Sequence, residues 1–224
     1  EGANNPISVT DTSPEFSAIF TDPDAADTGN YYQIQVNTTS DFSGTTMWDS
    51  TKITFGSAIS NGARSSDISY AGTTLQVGTT YYWRIKFWDN NNLQNESNWS
   101  ATAQFTMNVS PTAPTSLLCQ SATNPTKVYT STPTFSAIFS DPDTADKGSY
   151  YQIRVNTQSD FNGTSMWDSG KLSLTSINNG SRSQNLTYAG STLQASLTYY
   201  WEIKFWDNNG NESTWSSPAT FTMS

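Results

Sequence analysis

Two short acidic runs are the residues of this sequence best suited to bind a ligand. Each run contains Asp-Pro-Asp followed three residues later by another aspartate, in the sequences DPDAAD and DPDTAD. Carboxylate oxygens are hard ligands, and Ca²⁺ takes about six to eight oxygens in a flexible geometry. We therefore predict a calcium site in each half of the chain. Its first ligands are Asp22, Asp24 and Asp27 in one half and Asp141, Asp143 and Asp146 in the other.

A turn is the competing interpretation of the same runs. Asp-Pro-Asp reverses the chain readily, because aspartate side chains accept hydrogen bonds from backbone amides two residues on. The spacing also differs from that of the helix-flanked calcium loop whose ligand positions are fixed. Both interpretations remain open from the sequence.

Tryptophan side chains form a second candidate site, because exposed aromatic patches often mark binding sites and flat rings can stack on sugars. Trp88 and Trp206 are out of phase with the inward residues of their strands, so we expect them to point away from the core. Lys86 and Lys204 share that outward face. The glycan-binding hypothesis rests on Trp48, Trp88, Trp99, Trp167, Trp206 and Trp215.

In the alternative interpretation, basic side chains of the protein, and not sugars, stack on the tryptophan rings. Trp99 and Trp215 each precede a serine, which is similar to half of the Trp-Ser repeat in cytokine-receptor sandwiches, where basic and aromatic side chains interleave. Arg84 lies on the outward face of the first copy. We therefore predict that Trp99 and Trp215 pack against basic or aromatic side chains.

Composition argues against catalysis and against several classes of partner. The chain has no histidine, which removes the usual general base, and Cys119 has no residue that would activate it. We predict that the chain is not an enzyme. A net charge of −9 disfavours nucleic acid. No apolar run reaches the roughly 18 residues needed to span a bilayer, so we expect no membrane insertion.

The sequence contains two copies of one unit. The repeated motifs are FSAIFTDPD and FSAIFSDPD, MWDS in both copies, and YAG in both copies. We assign residues 1–108 to the first copy, 109–113 to a linker with a proline, and 114–224 to the second copy. Apolar residues alternate with polar ones in each copy, which predicts β-strands with one face in a core.

The sequence resembles the fibronectin type III family at residues 75–85, LQVGTTYYWRI, the turn into that family's sixth strand. Tyr81 is the corner tyrosine by this resemblance, as is Tyr199 in the second copy, where Ser196 replaces the turn glycine. Phe16 and Phe135 replace the usual second-strand tryptophan. The resemblance implies an all-β chain of two tandem fibronectin type III-like (Ig-like) antiparallel β-sandwiches.

The same resemblance implies that the loop after the sixth strand lies at the pole that carries the acidic run. Asp89 and Asp207 in that loop are therefore added to the predicted calcium ligands. Asn90 and Glu96 in the first copy and Asn208 and Glu212 in the second are candidates at the same pole.

The motifs are closer still to repeats of large bacterial or archaeal cell-surface proteins. This resemblance implies an extracellular or cell-surface structural and adhesive role, as a rigid spacer or fibre unit stiffened by calcium. Its partners would be neighbouring repeats or subunits of the same protein, with surface glycans as further candidates. A glycan-binding accessory module of a secreted enzyme is the main alternative.

The first copy is expected to lack its first strand. Residues 114–120 of the second copy are typical of a first strand, and residues 127–129 form a second extended piece that residues 7–9 match in the first copy. Nothing before Phe16 matches the first piece. Either the chain was cut from a longer array, or another subunit donates a strand to form a filament.

Overall fold

The computed structural model describes residues 2–91 and 95–224. Segments in which apolar and polar residues alternate form β-strands, joined by loops. No helix in these residues is long and apolar enough to cross a membrane. The chain divides into two units, Glu1–Asn108 and Val109–Ser224, each with its own apolar core. The predicted all-β class with two antiparallel sandwiches is confirmed.

Unit 1 contains seven strands within the described residues. They are β1 (Glu15–Phe16), β2 (Thr28–Asn37), β3 (Thr46–Asp49), β4 (Ile53–Ser60), β5 (Ile68–Ser69), β6 (Thr80–Asp89) and β7 (Ala103–Thr106). One sheet has the order β3-β2-β6-β7, with β4 also paired to β2. The facing sheet contains only β1 and β5.

Unit 2 repeats this arrangement with one more strand. Its strands are β8 (Thr115–Cys119), β9 (Thr134–Ile138), β10 (Lys147–Asn156), β11 (Ser165–Asp168), β12 (Leu172–Asn178), β13 (Leu186–Thr187), β14 (Thr198–Asp207) and β15 (Ala219–Thr222). The larger sheet has the order β11-β10-β14-β15, with β12 paired to β10. The facing sheet has the order β13-β9-β8.

The core of each unit is built around an aromatic pair that joins the two sheets. Phe16 contacts Trp83 with ring centroids 4.9 Å apart, and Phe135 contacts Trp201 at 4.5 Å. Where the resemblance would place a tryptophan, β1 and β9 carry a phenylalanine. The tryptophan of each pair comes instead from the facing sheet, on β6 in unit 1 and on β14 in unit 2. Burial of these rings contributes to the stability of each sandwich.

The corner tyrosines take the positions that the family resemblance implies. The Gln76 amide donates to the hydroxyl of Tyr81 at 2.8 Å, and the Gln194 amide donates to that of Tyr199 at 2.9 Å. Ser196 adopts a left-handed φ of 62°, matching the φ of 69° at Gly78 in unit 1. The turn therefore keeps its shape although the side chain adds strain.

The repeated MWDS and YAG motifs meet in each sandwich. In unit 1 the Tyr70 hydroxyl lies 3.2 Å from the carbonyl of Met47, and the Thr73 amide donates to that carbonyl at 2.9 Å. A Cβ on Gly72 would lie 2.3 Å from the same carbonyl oxygen. Only glycine allows the two backbones to approach this closely.

The two units differ most at the outer edge of the smaller sheet. In unit 2, β9 pairs with β13 on one side and β8 on the other, whereas β1 pairs with β5 alone among the described strands. Trp201 is fully buried, but its counterpart Trp83 is half-buried and lines a groove of about 710 Å³ with Glu15, Arg64 and Asp67. In the described part of unit 1, no strand takes the place of β8.

Candidate functional site

Three aspartates of unit 2 come together at one pole of the sandwich. Asp141 follows β9, Asp146 precedes β10, and Asp207 ends β14, so three separate elements bring them to one place. Each offers a carboxylate oxygen, and these oxygens lie within 4.8 Å of one another. The three residues are 6%, 4% and 0% exposed. We call this group the unit 2 acidic cluster.

Backbone and side-chain amides hold two of these carboxylates in place. Asp207 accepts from the amides of Asn209 at 2.8 Å and Asn211 at 2.9 Å. Asp146 accepts from the side-chain amide of Asn209 at 2.7 Å. These hydrogen bonds from the loop after β14 fix the positions of both carboxylates.

Asp141 differs from the other two because one of its oxygens has no partner. Its Oδ1 accepts from the Asp143 amide at 2.8 Å, while Oδ2 is buried with no hydrogen bond. Burial raises the pKa of Asp141 to about 6, and the charges of Asp146, Asp207 and Asp143 act in the same direction. Asp141 is therefore the member of the cluster whose carboxylate is least compensated by hydrogen bonds.

The structure places the predicted ligand Asp143 outside the cluster. Its carboxylate accepts from the Val109 amide at 2.7 Å, at the start of the predicted linker. Thr112 in the same segment donates its amide to the Ser140 carbonyl at 2.9 Å. Residues 109–112 are thus tied to the acidic pole of unit 2, beside Asp141.

The acidic pole of unit 1 is more open. Asp22, Asp24 and Asp27 also lie within 4.8 Å of one another, but only Asp27 is buried. The Asp24 amide donates to Asp22 Oδ1 at 2.8 Å, so this run forms the predicted turn. Asp89 is not part of the group, and its Oδ1 accepts from the Asn91 amide at 2.9 Å.

The other polar candidates at these poles have structural partners. The side-chain oxygens of Asn90 and Asn208 accept from the amides of Thr28 and Lys147, which begin β2 and β10. Glu96 and Glu212 form ion pairs at 2.8 Å with Lys86 and Lys204 on the outer sheet face. These four residues contribute to the loops and the sheet face, and the geometry does not bring them into the clusters.

The outer face of the larger sheet carries a continuous row of alternating rings and cations. In unit 1 the order is Phe42, Arg84, Trp99, Lys86, Trp88, Lys52 and Tyr31, with each cation 3.9–4.9 Å from the ring centroids beside it. In unit 2 it is Phe161, Arg154, Trp215, Lys204, Trp206, Lys171 and Tyr150, at 4.4–5.0 Å. We call each row an aromatic–cation ladder. Cation–π contacts are favourable by about 0.5–1 kcal/mol at exposed sites.

The arginine of the ladder comes from different strands in the two units. Arg84 lies on β6 opposite Gln35 on β2, and its guanidinium donates to the Gln35 side chain at 2.7 Å. In unit 2 the arginine is Arg154 on β10, and the residue opposite it on β14 is Glu202, with which it forms an ion pair. The guanidinium therefore contacts the same pair of rings from either of two neighbouring strands.

Each ladder ends at a phenylalanine that sequence reasoning missed. Phe42 and Phe161 have φ values of 60° and 58°, in the left-handed region that bulky residues rarely adopt. The buried Asn37 holds the first loop by donating to the carbonyls of Phe42 and Gly44 at 3.4 and 3.3 Å. The repeated Asp-Phe in the loops SDFSG and SDFNG was the available signal.

The predicted packing of Trp99 and Trp215 is confirmed, since each ring has a cation on either side. Trp88 and Trp206 lie on the outer face as expected but are only 6% and 7% exposed, because lysines cover them. Trp48 lies elsewhere and packs its ring against the core. Most of the rings proposed to stack on sugars are therefore already in contact with protein groups.

Comparison with known proteins identifies relatives for each unit. The family described as Rha78A-like, N-terminal immunoglobulin domain matches residues 1–110 and again residues 114–224. An alpha-L-rhamnosidase of Formosa agariphila is 31% identical over 110 residues, which are 48% of this chain and 11% of that protein. An alpha-L-rhamnosidase of Alteromonas sp. is 32% identical over 110 residues, with the same shares. A solved structure of alpha-L-rhamnosidase from Dictyoglumus thermophilum is 28% identical and covers 50% of this chain and 12% of that one, with a TM-score of 0.43.

These matches confirm the Ig-like part of the predicted resemblance and correct its other part. They point to rhamnosidase N-terminal domains and not specifically to tandem repeats of large cell-surface proteins. The matched segments span only about a tenth of the relatives' own lengths. The two family matches together include almost every residue from 1 to 224, so the chain belongs to the family of Rha78A-like, N-terminal immunoglobulin domains.

Proposed function

We propose that this chain is a non-catalytic accessory part of a larger glycoside hydrolase that acts on α-L-rhamnosides. The observation that carries the proposal is the family match over both units, together with relatives named alpha-L-rhamnosidase. Because the matched segments span about a tenth of those relatives, we assign hydrolysis to other parts of the larger protein. The lack of histidine in this chain is consistent with that division of roles.

The accessory role that the geometry supports best is structural. The ladders cover the outer sheet faces, and the aromatic pairs join the sheets, so each unit is a stiff body. Trp99 and Trp215 have cations on both sides, which leaves little flat ring surface for a sugar. We therefore favour support of the hydrolase over recognition of its glycan, and also over a role as a cell-surface spacer.

We also propose that the chain works outside the cell. The low content of charged residues, 13%, is typical of secreted β-rich modules. Fractionation of the source organism, followed by detection with an antibody to this chain, tests this; a purely intracellular signal would contradict it.

Activity measurements on two proteins test the proposal. The full-length polypeptide that contains this chain should hydrolyse an aryl α-L-rhamnoside, whereas the 224-residue chain alone should not. An aryl β-D-glucoside serves as the control substrate. Hydrolysis by the chain alone, or no hydrolysis by the full polypeptide, would overturn it.

A binding measurement separates support from glycan recognition. Affinity electrophoresis in a gel containing a rhamnose-rich polysaccharide should leave the migration of the chain unchanged. Retardation that is lost in Trp215→Ala, while the variant remains folded, would favour the glycan-binding alternative.

A further inference from the structure

The unit 2 acidic cluster contains a buried carboxylate oxygen that has no hydrogen-bond partner. Asp141 is 6% exposed, and its Oδ2 has no hydrogen bond. Natural proteins rarely bury a charged atom without a compensating group, because its desolvation costs several kcal/mol or more. Asp146 and Asp207 add negative charge within 4.8 Å instead of neutralising it. A cation in the cluster would both contact Asp141 Oδ2 and offset the charge of its two neighbours.

We propose that Asp141, Asp146 and Asp207 bind one calcium ion in unit 2. Ligands that sit about 2.3–2.6 Å from a shared Ca²⁺ lie at most about 5 Å from each other, which fits the observed limit of 4.8 Å. The site goes beyond the accessory function proposed above and does not depend on it.

The donor set selects calcium over other metals. All three donors are carboxylate oxygens, and a chain without histidine cannot supply the imidazole that zinc, copper or nickel sites use. Mg²⁺ demands near-ideal octahedral geometry and keeps several waters, which suits open sites better than a cluster this deeply buried. Calcium tolerates the irregular positions set by three separate loops.

Calcium would also act on the segment that enters unit 2. Asp143 connects the cluster to this segment, because its amide donates to Asp141 Oδ1 and its carboxylate accepts from the Val109 amide. An ion held by Asp141 would fix the turn that contains Asp143, and through it residues 109–112. We therefore expect calcium to order this segment against unit 2.

The corresponding residues of unit 1 provide an internal comparison. The counterparts of the cluster are Asp22, Asp27 and Asp89. Asp27 and Asp89 are buried, but Asp22, the counterpart of Asp141, is half-buried and has no buried oxygen without a partner among the described residues. Solvent can screen this group, so the structure gives no comparable reason for an ion there. The calcium site predicted for unit 1 stays a prediction from sequence.

Calorimetric titration of the 224-residue chain tests the proposal, after removal of metal with a chelator. CaCl₂ should bind with a stoichiometry of one high-affinity ion per chain. At a calcium concentration about 100 times Kd, the Tm of unit 2 should rise by roughly 10 °C. No binding and no Tm change at millimolar calcium would overturn the site.

Three single variants locate the ion. Asp141→Asn should weaken calcium binding at least tenfold and still fold, because the amide keeps an oxygen to accept from Asp143 and removes a buried charge. Asp143→Asn and Asp22→Asn are matched controls, placed outside the cluster and in unit 1, and should keep the calcium response. Retention of the response by Asp141→Asn, or its loss in Asp22→Asn, would refute the assignment.

Terbium provides a readout that needs no variant. Tb³⁺ bound in the cluster should be sensitised by Trp206, the neighbour of Asp207, and CaCl₂ should displace it. Luminescence that Mg²⁺ quenches as efficiently as Ca²⁺ would contradict the selection of calcium. A Tm that does not change with calcium but rises as the pH falls would indicate that a proton, and not a metal ion, neutralises the cluster. That result would also overturn the proposal.

Discussion

Removal of Trp215 tests whether the aromatic–cation ladder stabilises the sandwich. The ring lies 4.4 Å from the Arg154 guanidinium and 5.0 Å from the Lys204 ammonium, and it is half-buried. Two exposed cation–π contacts are favourable by about 1–2 kcal/mol together. Loss of part of the buried ring area adds about 1 kcal/mol after allowance for a compact unfolded chain. We expect Trp215→Ala to lower the free energy of unfolding by about 2–3 kcal/mol.

The assay is guanidinium unfolding of the full chain, followed by circular dichroism. Tyr129→Ala is the matched control, since Tyr129 is an aromatic residue of the same unit that is 79% exposed. Its effect should stay within about 0.5 kcal/mol. Trp215→Phe keeps a ring between the cations and should recover part of the loss. If Trp215→Ala and Tyr129→Ala have equal effects, the ladder does not stabilise the fold and the reasoning is wrong.

Further predictions concern unit 1. Gly72→Ala should destabilise it by at least about 2 kcal/mol, because the new Cβ meets a backbone oxygen, whereas Gly56→Ala, which meets nothing within 4 Å, should be tolerated in the same thermal melt. Arg84→Gln should lower the Tm, and adding Gln35→Arg should restore it, because an arginine on β2 can place its guanidinium between the same two rings. A Tm that is not restored would show that the guanidinium cannot reach these rings from β2. Hydrogen bonds from the Ser43 amide and the Thr39 hydroxyl lower the pKa of Asp41 to about 2, so its contribution to stability should be complete above its unfolded pKa and be lost as the pH falls toward 2. Asp41→Asn should remove that part of the acid transition. A synthetic peptide of residues 114–120 should raise the Tm of unit 1 by pairing with β1, and a scrambled peptide that acts equally would contradict this.

The strands could be predicted from sequence because apolar and polar residues alternate every two residues, and side chains of a strand alternate between core and solvent with the same period. Phe16, Tyr81 and Ile85 all lie in the core as their spacing requires. The repeat made the prediction stronger, since two copies with the same alternation must satisfy the same fold. Comparison of one copy with the other also led to the prediction that unit 1 lacks its first strand.

The candidate site was predicted less completely because loops decide where a carboxylate points. Asp141, Asp146 and Asp207 meet as expected, whereas Asp143 turns toward Val109. No local pattern distinguishes Asp141 from Asp143, since both belong to one Asp-Pro-Asp turn. The difference arises from a segment some 30 residues earlier in the chain, which the turn itself does not encode.

The exchanged arginines also affect how the two copies can evolve. A crossover between the two repeats, at a point between the codons for β2 and β6, would combine the β2 residue of one copy with the β6 residue of the other. One hybrid would pair Gln35 with a glutamate in place of Arg84 and have no guanidinium between its rings. The reciprocal hybrid would place two arginines side by side, with like charges opposed across the strands. The two positions of each pair are therefore coupled, because each arginine has its hydrogen-bonding partner only within its own copy.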